Sequence, residues 1–160
     1  MKEFNKIIIL SIKPKFAEAI LNGTKKWEYR RIPPNIKETT PMILYATEKT
    51  KAIVGVCQVT QLLRKPLKSL IKLTITETTS TREGLNEYFN GIKLCSALRV
   101  ENPFRIEIKL EKIRELMPSF VAPQSFYYLK KEDKRHMKLF MLLKNKLSES
   151  YRTQNRLNNF

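Results

Sequence analysis

Apolar positions come in short runs whose period changes along the chain. Residues Lys6–Ile12 (KIIILSI) are β-branched and apolar over a strand's length, which predicts a buried strand. Pro14 suits a first helical turn, and Phe16, Ala17, Ile20 and Leu21 follow at helical spacing. Asn22-Gly23 ends that helix, with Gly23 as its left-handed cap. Residues 26–32 alternate, Trp27 and Tyr29 on one face and Glu28 and Arg30 on the other, until Pro33-Pro34 stops the strand. Residues 42–47 and 52–62 read as two strands of a hairpin turning at 48–51, with Gly55 marking a bulge or a close approach. Residues 66–73 predict a short amphipathic helix. A capping box at 80–83 opens another, which runs to Asn90-Gly91. Residues 94–100 and 104–110 alternate as two further strands, 117–123 is loop, and Gln124-Ser125-Phe126 reads as a turn. Residues 132–147 form a helix with Met137, Phe140, Met141, Leu143 and Leu147 inward, and a polar, frayed tail follows. Five or six strands with inserted helices predict an α+β domain around a small, mostly antiparallel barrel.

Composition narrows the function. A chain of 160 residues with 42% hydrophobic positions is one domain, or one domain with an appendage. No apolar run approaches the ~18–20 residues of a membrane span, and no cleavable signal precedes residue 7. Two Cys and one His exclude a zinc site of the Cys₄ or Cys₂His₂ kind and a disulfide framework. Cys57 and Cys95 read as buried thiols of a reducing cytoplasm, and His136 as part of a solvated helix face. No metal or cofactor is expected. The charge is lopsided, with 31 Lys and Arg against 15 Asp and Glu, a net +16. Residues 1–65 carry +8 and residues 130–160 carry +6, so the ends hold the basic surface. The expected partner is a polyanion, RNA first and DNA second, and not a membrane.

One stretch carries chemistry. In Gly23-Thr24-Lys25-Lys26-Trp27-Glu28-Tyr29-Arg30-Arg31, a glycine turn precedes a lysine, and Glu28 and Arg30 project from one strand face. Cations beside Glu28 keep it ionised, able to accept hydrogen bonds from an amine or to take a proton. The same spacing also describes an ordinary surface ion pair. Around it stand Ile9-Leu10-Ser11-Ile12-Lys13-Pro14, then Tyr45-Ala46, Ile53-Val54-Gly55, Tyr88-Phe89-Asn90-Gly91 and Ala122-Pro123-Gln124-Ser125-Phe126.

Taken together, these blocks resemble the ASCH family of the PUA-like superfamily, whose G-x-K-x-x-E-x-R motif is filled here by Gly23, Lys25, Glu28 and Arg30. They are similar in particular to stand-alone bacterial, archaeal and phage ASCH proteins, which suggests a regulatory role in transcription or translation. The resemblance spans residues 6–129. It divides the chain into an ASCH/PUA-like domain (1–129) and a basic C-terminal helix with its tail (130–160). It implies a β-barrel with a cleft beside the first helix that takes RNA or an extruded base. Lys25, Glu28 and Arg30 are then expected to face the cleft, with Ser11, Lys13, Arg31, Tyr45, Gln124 and Ser125 near them. Trp27, Tyr29 and Tyr45 are candidates to stack on a base, although the alternation favours a core role for the first two. One branch of the family hydrolyses acetylated cytidine with a lysine and a threonine. Here Glu28 stands at the threonine position, and Thr24 lies beside Lys25 in the turn. The favoured expectation is a non-catalytic nucleic-acid-binding module that recognises a base or modified base. The alternatives are a small amidohydrolase on a modified nucleoside, using Lys25 and Glu28, and a protein-interaction subunit.

Overall fold

The computed structural model describes residues 3–160. The first apolar run is strand β1 (Lys6–Ile12), and Pro14 opens helix α1 (Pro14–Leu21). Gly23 takes φ +83°, the left-handed geometry that turns the chain back beneath α1. Strand β2 (Trp27–Arg30) follows, then β3 (Thr40–Ala46) and the long β4 (Ala52–Lys65). Helix α2 (Leu67–Thr74) runs into a single tight turn at Ile75–Glu77. In helix α3 (Arg82–Tyr88) the Thr81 hydroxyl caps the first turn by accepting from the Gly84 N–H. Strand β5 (Cys95–Lys109), helix α4 (Leu110–Leu116), strand β6 (Phe126–Lys130) and helix α5 (Met137–Asn158) complete the chain.

The strands form one sheet in the order β2-β5-β4-β3-β1-β6. Only β1 and β3 pair in parallel, as a mostly antiparallel fold predicts. The α+β architecture is as expected, but the sheet does not close into a barrel: β2 and β6 are its two free edges. Alternation along β1 divides the core. Ile8, Leu10 and Ile12 pack with Ala17 and Ile20 of α1, while Ile7 and Ile9 pack with Leu139, Phe140 and Leu143 of α5. A third cluster holds Trp27 and Tyr29 of β2 against Leu70 and Ile71 of α2 and Leu85 and Phe89 near α3.

Several expected elements differ. The two strands at 94–100 and 104–110 are one strand, β5, because Asn102 at φ +52° absorbs the irregularity that Pro103 would otherwise force. The turn at 124–126 opens strand β6, which pairs with β1 from Lys6↔Lys130 to Leu10↔Phe126. Helix α5 begins five residues later than expected and continues to Asn158. Its inward stripe is Leu139, Phe140, Leu143 and Leu147, whereas Met137 and Met141 are exposed. His136 is not on a solvated face: its Nδ1 accepts from the Lys130 N–H (3.1 Å), fixing the turn into α5. Gly55 does mark a close approach. A Cβ there would collide with the end of the Leu21 side chain and stand 3.2 Å from the Phe104 carbonyl, so α1 lies down on β4 at this point.

Candidate functional site

The turn after α1 decides where the motif lysine goes. The Lys25 N–H donates to Ala19 O (2.9 Å), and the Thr24 hydroxyl donates to Asn22 Oδ1 (2.7 Å) and Ala19 O (3.2 Å). These bonds fold the chain under the helix and carry the Lys25 side chain inward. Lys25 is only 3% exposed, and Glu28 only 5%. The Lys25 Nζ lies 3.6 Å from Glu28 Oε2 and sits over the rings of Tyr29 (4.9 Å) and Phe16 (5.2 Å). Burial holds its ammonium below the ordinary lysine range, with the Glu28 carboxylate opposing that shift and Arg30 adding to it.

Arg30 has a different environment. Its Nε and Nη2 both donate to Glu28 Oε1 (3.1 and 2.8 Å), Nη2 also donates to Ser11 O (2.9 Å), and Nη1 donates to Ser125 Oγ (3.3 Å). Ser125 directly precedes β6, so one guanidinium on the β2 edge ties together β1 and the start of the opposite edge. A hydrogen-bonded fork thus holds the edges together where barrel strands would pair. Most of Arg30's donors are spent inside the protein, as a planar five-donor group allows. Lys25 instead faces Glu28 Oε2 at 3.6 Å, a looser pairing than the short bonds of Arg30. Two cations that look equivalent in the sequence are therefore placed for different work.

Above this triad opens a cleft of about 490 Å³. On one side it is bordered by Ser11, Lys13, Lys15 and Phe16, from the end of β1 and the start of α1. On the other stand the Thr79-Ser80-Thr81 segment and Gly84, Leu85 and Tyr88 of α3, with Lys25, Glu28, Tyr29 and Arg30 between. The structure therefore brings Lys25, Glu28, Arg30, Ser11 and Lys13 to one cleft, and Ser125 reaches it through its bond to Arg30. Arg31 is exposed next to it, outside the lining. Tyr45 is corrected: it is buried in the α5-side core against Phe120 (ring centroids 5.5 Å apart), because its register with Ser11 places it on the layer of Ile7 and Ile9. Gln124 is exposed and does not line the cleft. Trp27 packs in the core beneath α2 and α3, and Tyr29 both packs there and borders the cleft. Thr24, the hydroxyl nearest to Lys25 in sequence, is committed to the turn. Sequence reasoning missed Phe16, Tyr88 and residues 79–81. The capping box at Thr81 was visible, but nothing in its spacing says that α3 folds back over the motif.

Residues 10–104 match the ASCH domain family, a span that includes the whole Lys25–Glu28–Arg30 triad. The chain belongs to the ASCH family. It is similar to the ASCH domain-containing ribonuclease of Zymomonas mobilis, with 29% identity over 127 residues that cover 78% of this chain and 85% of that protein. Its fold matches the crystal structure of the ASCH protein from Zymomonas mobilis with a TM-score of 0.77 at 27% identity, covering 85% of this chain and 94% of the other. A tyrosine-to-phenylalanine variant of that ASCH protein superposes equally well, with a TM-score of 0.77 at 23% identity, covering 86% of this chain and 97% of the other. Among the described residues, no helix of this ASCH protein is long and apolar enough to cross a membrane.

Proposed function

We propose that this ASCH protein binds single-stranded RNA in the cleft between α1 and α3 and cleaves it there. The observation that carries the reading is the buried Lys25–Glu28 pair at the base of a 490 Å³ cleft with exposed Lys13 and Lys15 at its rim. That volume lies in the range of about 300–1,000 Å³ typical of small-ligand sites, which suits one nucleotide and not a duplex. Similarity to an ASCH ribonuclease moves the reading from binding alone, the favoured expectation from the residues, to binding with cleavage. Both cysteines are free and buried, consistent with a role in the cytoplasm alongside RNA, where cleavage would regulate transcripts.

In this reading the 2′ hydroxyl attacks the adjacent phosphorus. The O2′–P bond forms, the P–O5′ bond breaks, and the products are a 2′,3′-cyclic phosphate and a 5′ hydroxyl. Glu28 Oε2, which Arg30 does not engage, is the acceptor for the 2′ proton. Lys25, a stronger acid than a free lysine because of its burial, gives a proton to the departing 5′ oxygen. In this reading Arg30 and Ser125 hold the carboxylate and the strand ends in register, and Ser11 and Lys13 border the path of the RNA, with the exposed Arg31 beside it.

The test pairs binding with product analysis. Labelled single-stranded RNA should bind with an affinity that falls with salt on a log–log slope of about −3 to −5, the release expected for some 4–6 neutralised phosphates. The RNA should be cut to cyclic-phosphate ends, and DNA of the same sequence should remain whole. A flat salt response with intact RNA overturns the proposal. Release of acetate from N4-acetylcytidine without RNA cleavage would instead establish amide hydrolysis at the same lysine.

A further inference from the structure

Three aromatic rings border the cleft, and two of them are already occupied. Phe16 carries the Lys15 Nζ (4.9 Å) and the Lys25 Nζ (5.2 Å) over its ring. Tyr29 carries the Lys25 Nζ and is buried. Tyr88 differs from both. It is 41% exposed, an unusual position for a large ring on a short helix, and no cation of the described residues lies over it.

Its ring is nevertheless held in place. Phe89 packs against it edge-on with centroids 4.8 Å apart, and the Tyr88 hydroxyl donates to the Tyr29 carbonyl (3.3 Å). A tyrosine exposed only by accident would not need both restraints. A stacking platform does, because a ring fixed before the ligand arrives loses little entropy on binding. The Tyr29 carbonyl belongs to β2, between Glu28 and Arg30, so the bond that fixes the platform also sets its distance from the polar triad.

We propose that Tyr88 is the stacking platform for one unpaired nucleobase, held at the cleft wall so that the ribose and phosphate of that nucleotide reach Lys25 and Glu28 at the base. This rests on the RNA-binding reading above and adds its specificity element. The site takes an unstacked base of single-stranded RNA, and duplex RNA, whose bases are stacked on each other, is excluded from it. Stacking is tolerant of base identity, since every base has a π-face. The platform therefore selects for single-strandedness and not for the identity of the base.

The experiment uses the full chain and a single-stranded RNA carrying one 2-aminopurine, whose fluorescence is quenched by stacking. Wild type should quench the probe, and Tyr88→Phe, which keeps the ring but loses the bond to the Tyr29 carbonyl, should quench it too while binding a few-fold more weakly. Tyr88→Ala should fail to quench and should bind roughly 5- to 150-fold more weakly, the loss of one base–aromatic stack. Its salt slope should be unchanged, since no phosphate contact is removed. An RNA with an abasic nucleotide at the probe position should bind wild type and Tyr88→Ala equally. If wild type binds the RNA with the expected salt slope but Tyr88→Ala binds and quenches equally well, the platform is wrong and the RNA reading stands. If wild type binds no RNA at all, both fall. Circular dichroism of Tyr88→Ala separates lost stacking from lost fold, and Tyr88→Leu, which fills more of the space without a ring, repeats the test if the alanine variant unfolds.

Discussion

Replacing Arg30 with methionine should cost about 3–5 kcal/mol of stability, the usual penalty for stranding one member of a buried ion pair. The guanidinium's charged side chain is 11% exposed, and it supplies two hydrogen bonds to Glu28 Oε1, one to Ser11 O and one to Ser125 Oγ. Methionine fills similar space but satisfies none of these acceptors. Glu28 would keep only the more distant Lys25, at 3.6 Å, and the free edges β2 and β6 would lose the fork that ties them together. Arg30→Lys should recover the charge but not the fork, and should fall between wild type and Arg30→Met. Urea denaturation of the three proteins measures this directly. An Arg30→Met variant within about 1 kcal/mol of wild type would show that the fork contributes little, contrary to the cost of leaving a buried charge exposed to an apolar neighbour.

Lys25→Met should behave in the opposite way. Glu28 keeps its two bonds from Arg30, and the methionine lies between Phe16 and Tyr29 without a charge to desolvate. Stability should change by no more than about 1 kcal/mol, within the range of a volume-conserving core swap. RNA affinity should nevertheless fall roughly 10- to 150-fold, the loss of one charged hydrogen bond worth about 1.5–3 kcal/mol. Cleavage should fall further, by about 10²–10⁴, the share of one acid–base group. The pH dependence of stability separates the causes. Burial lowers the Lys25 pKa in the folded state relative to the unfolded chain. Below the folded pKa both states are protonated, and the cost of burying the ammonium is fully present. As pH rises from the folded value towards the unfolded one, the unfolded state binds more protons and stability increases. Wild type should show this rise and Lys25→Met should lack it. A methionine variant that retains RNA binding would remove Lys25 from the site.

Much of this arrangement was legible in the residues. Pro14, Asn22-Gly23 and the alternation at 27–30 are local signals, and each specifies backbone that the structure adopts. The motif predicts Lys25, Glu28 and Arg30 together, but not their separate jobs. Those depend on Ser125, a residue 95 positions away that joins Arg30 only once β6 lies beside β1. Strand β6 itself was hidden because Phe126, Tyr127 and Tyr128 are three aromatic residues in a row without alternation. Helix α4 is seven residues long with Ile113 alone fully buried, too short to show a period. The last turns of α5 beyond Tyr151 are polar and mostly exposed, so they carry no apolar stripe and read as tail. Tyr45 was misplaced for a geometric reason: it pairs in register with Ser11, but the facing that this register imposes points it into the α5 layer. Tyr88 was missed because α3 folds over the motif from some 60 residues away, and no spacing rule carries that information.

The central claim, that RNA enters between α1 and α3, is tested most directly by cross-linking. A single-stranded RNA with 4-thiouridine at successive positions would be bound, irradiated and mapped by peptide mass spectrometry. The account predicts adducts within residues 11–16, 25–31 and 79–88, and their loss when unlabelled RNA competes. Adducts confined to the basic outer face of α5, with none on those three segments, would contradict it.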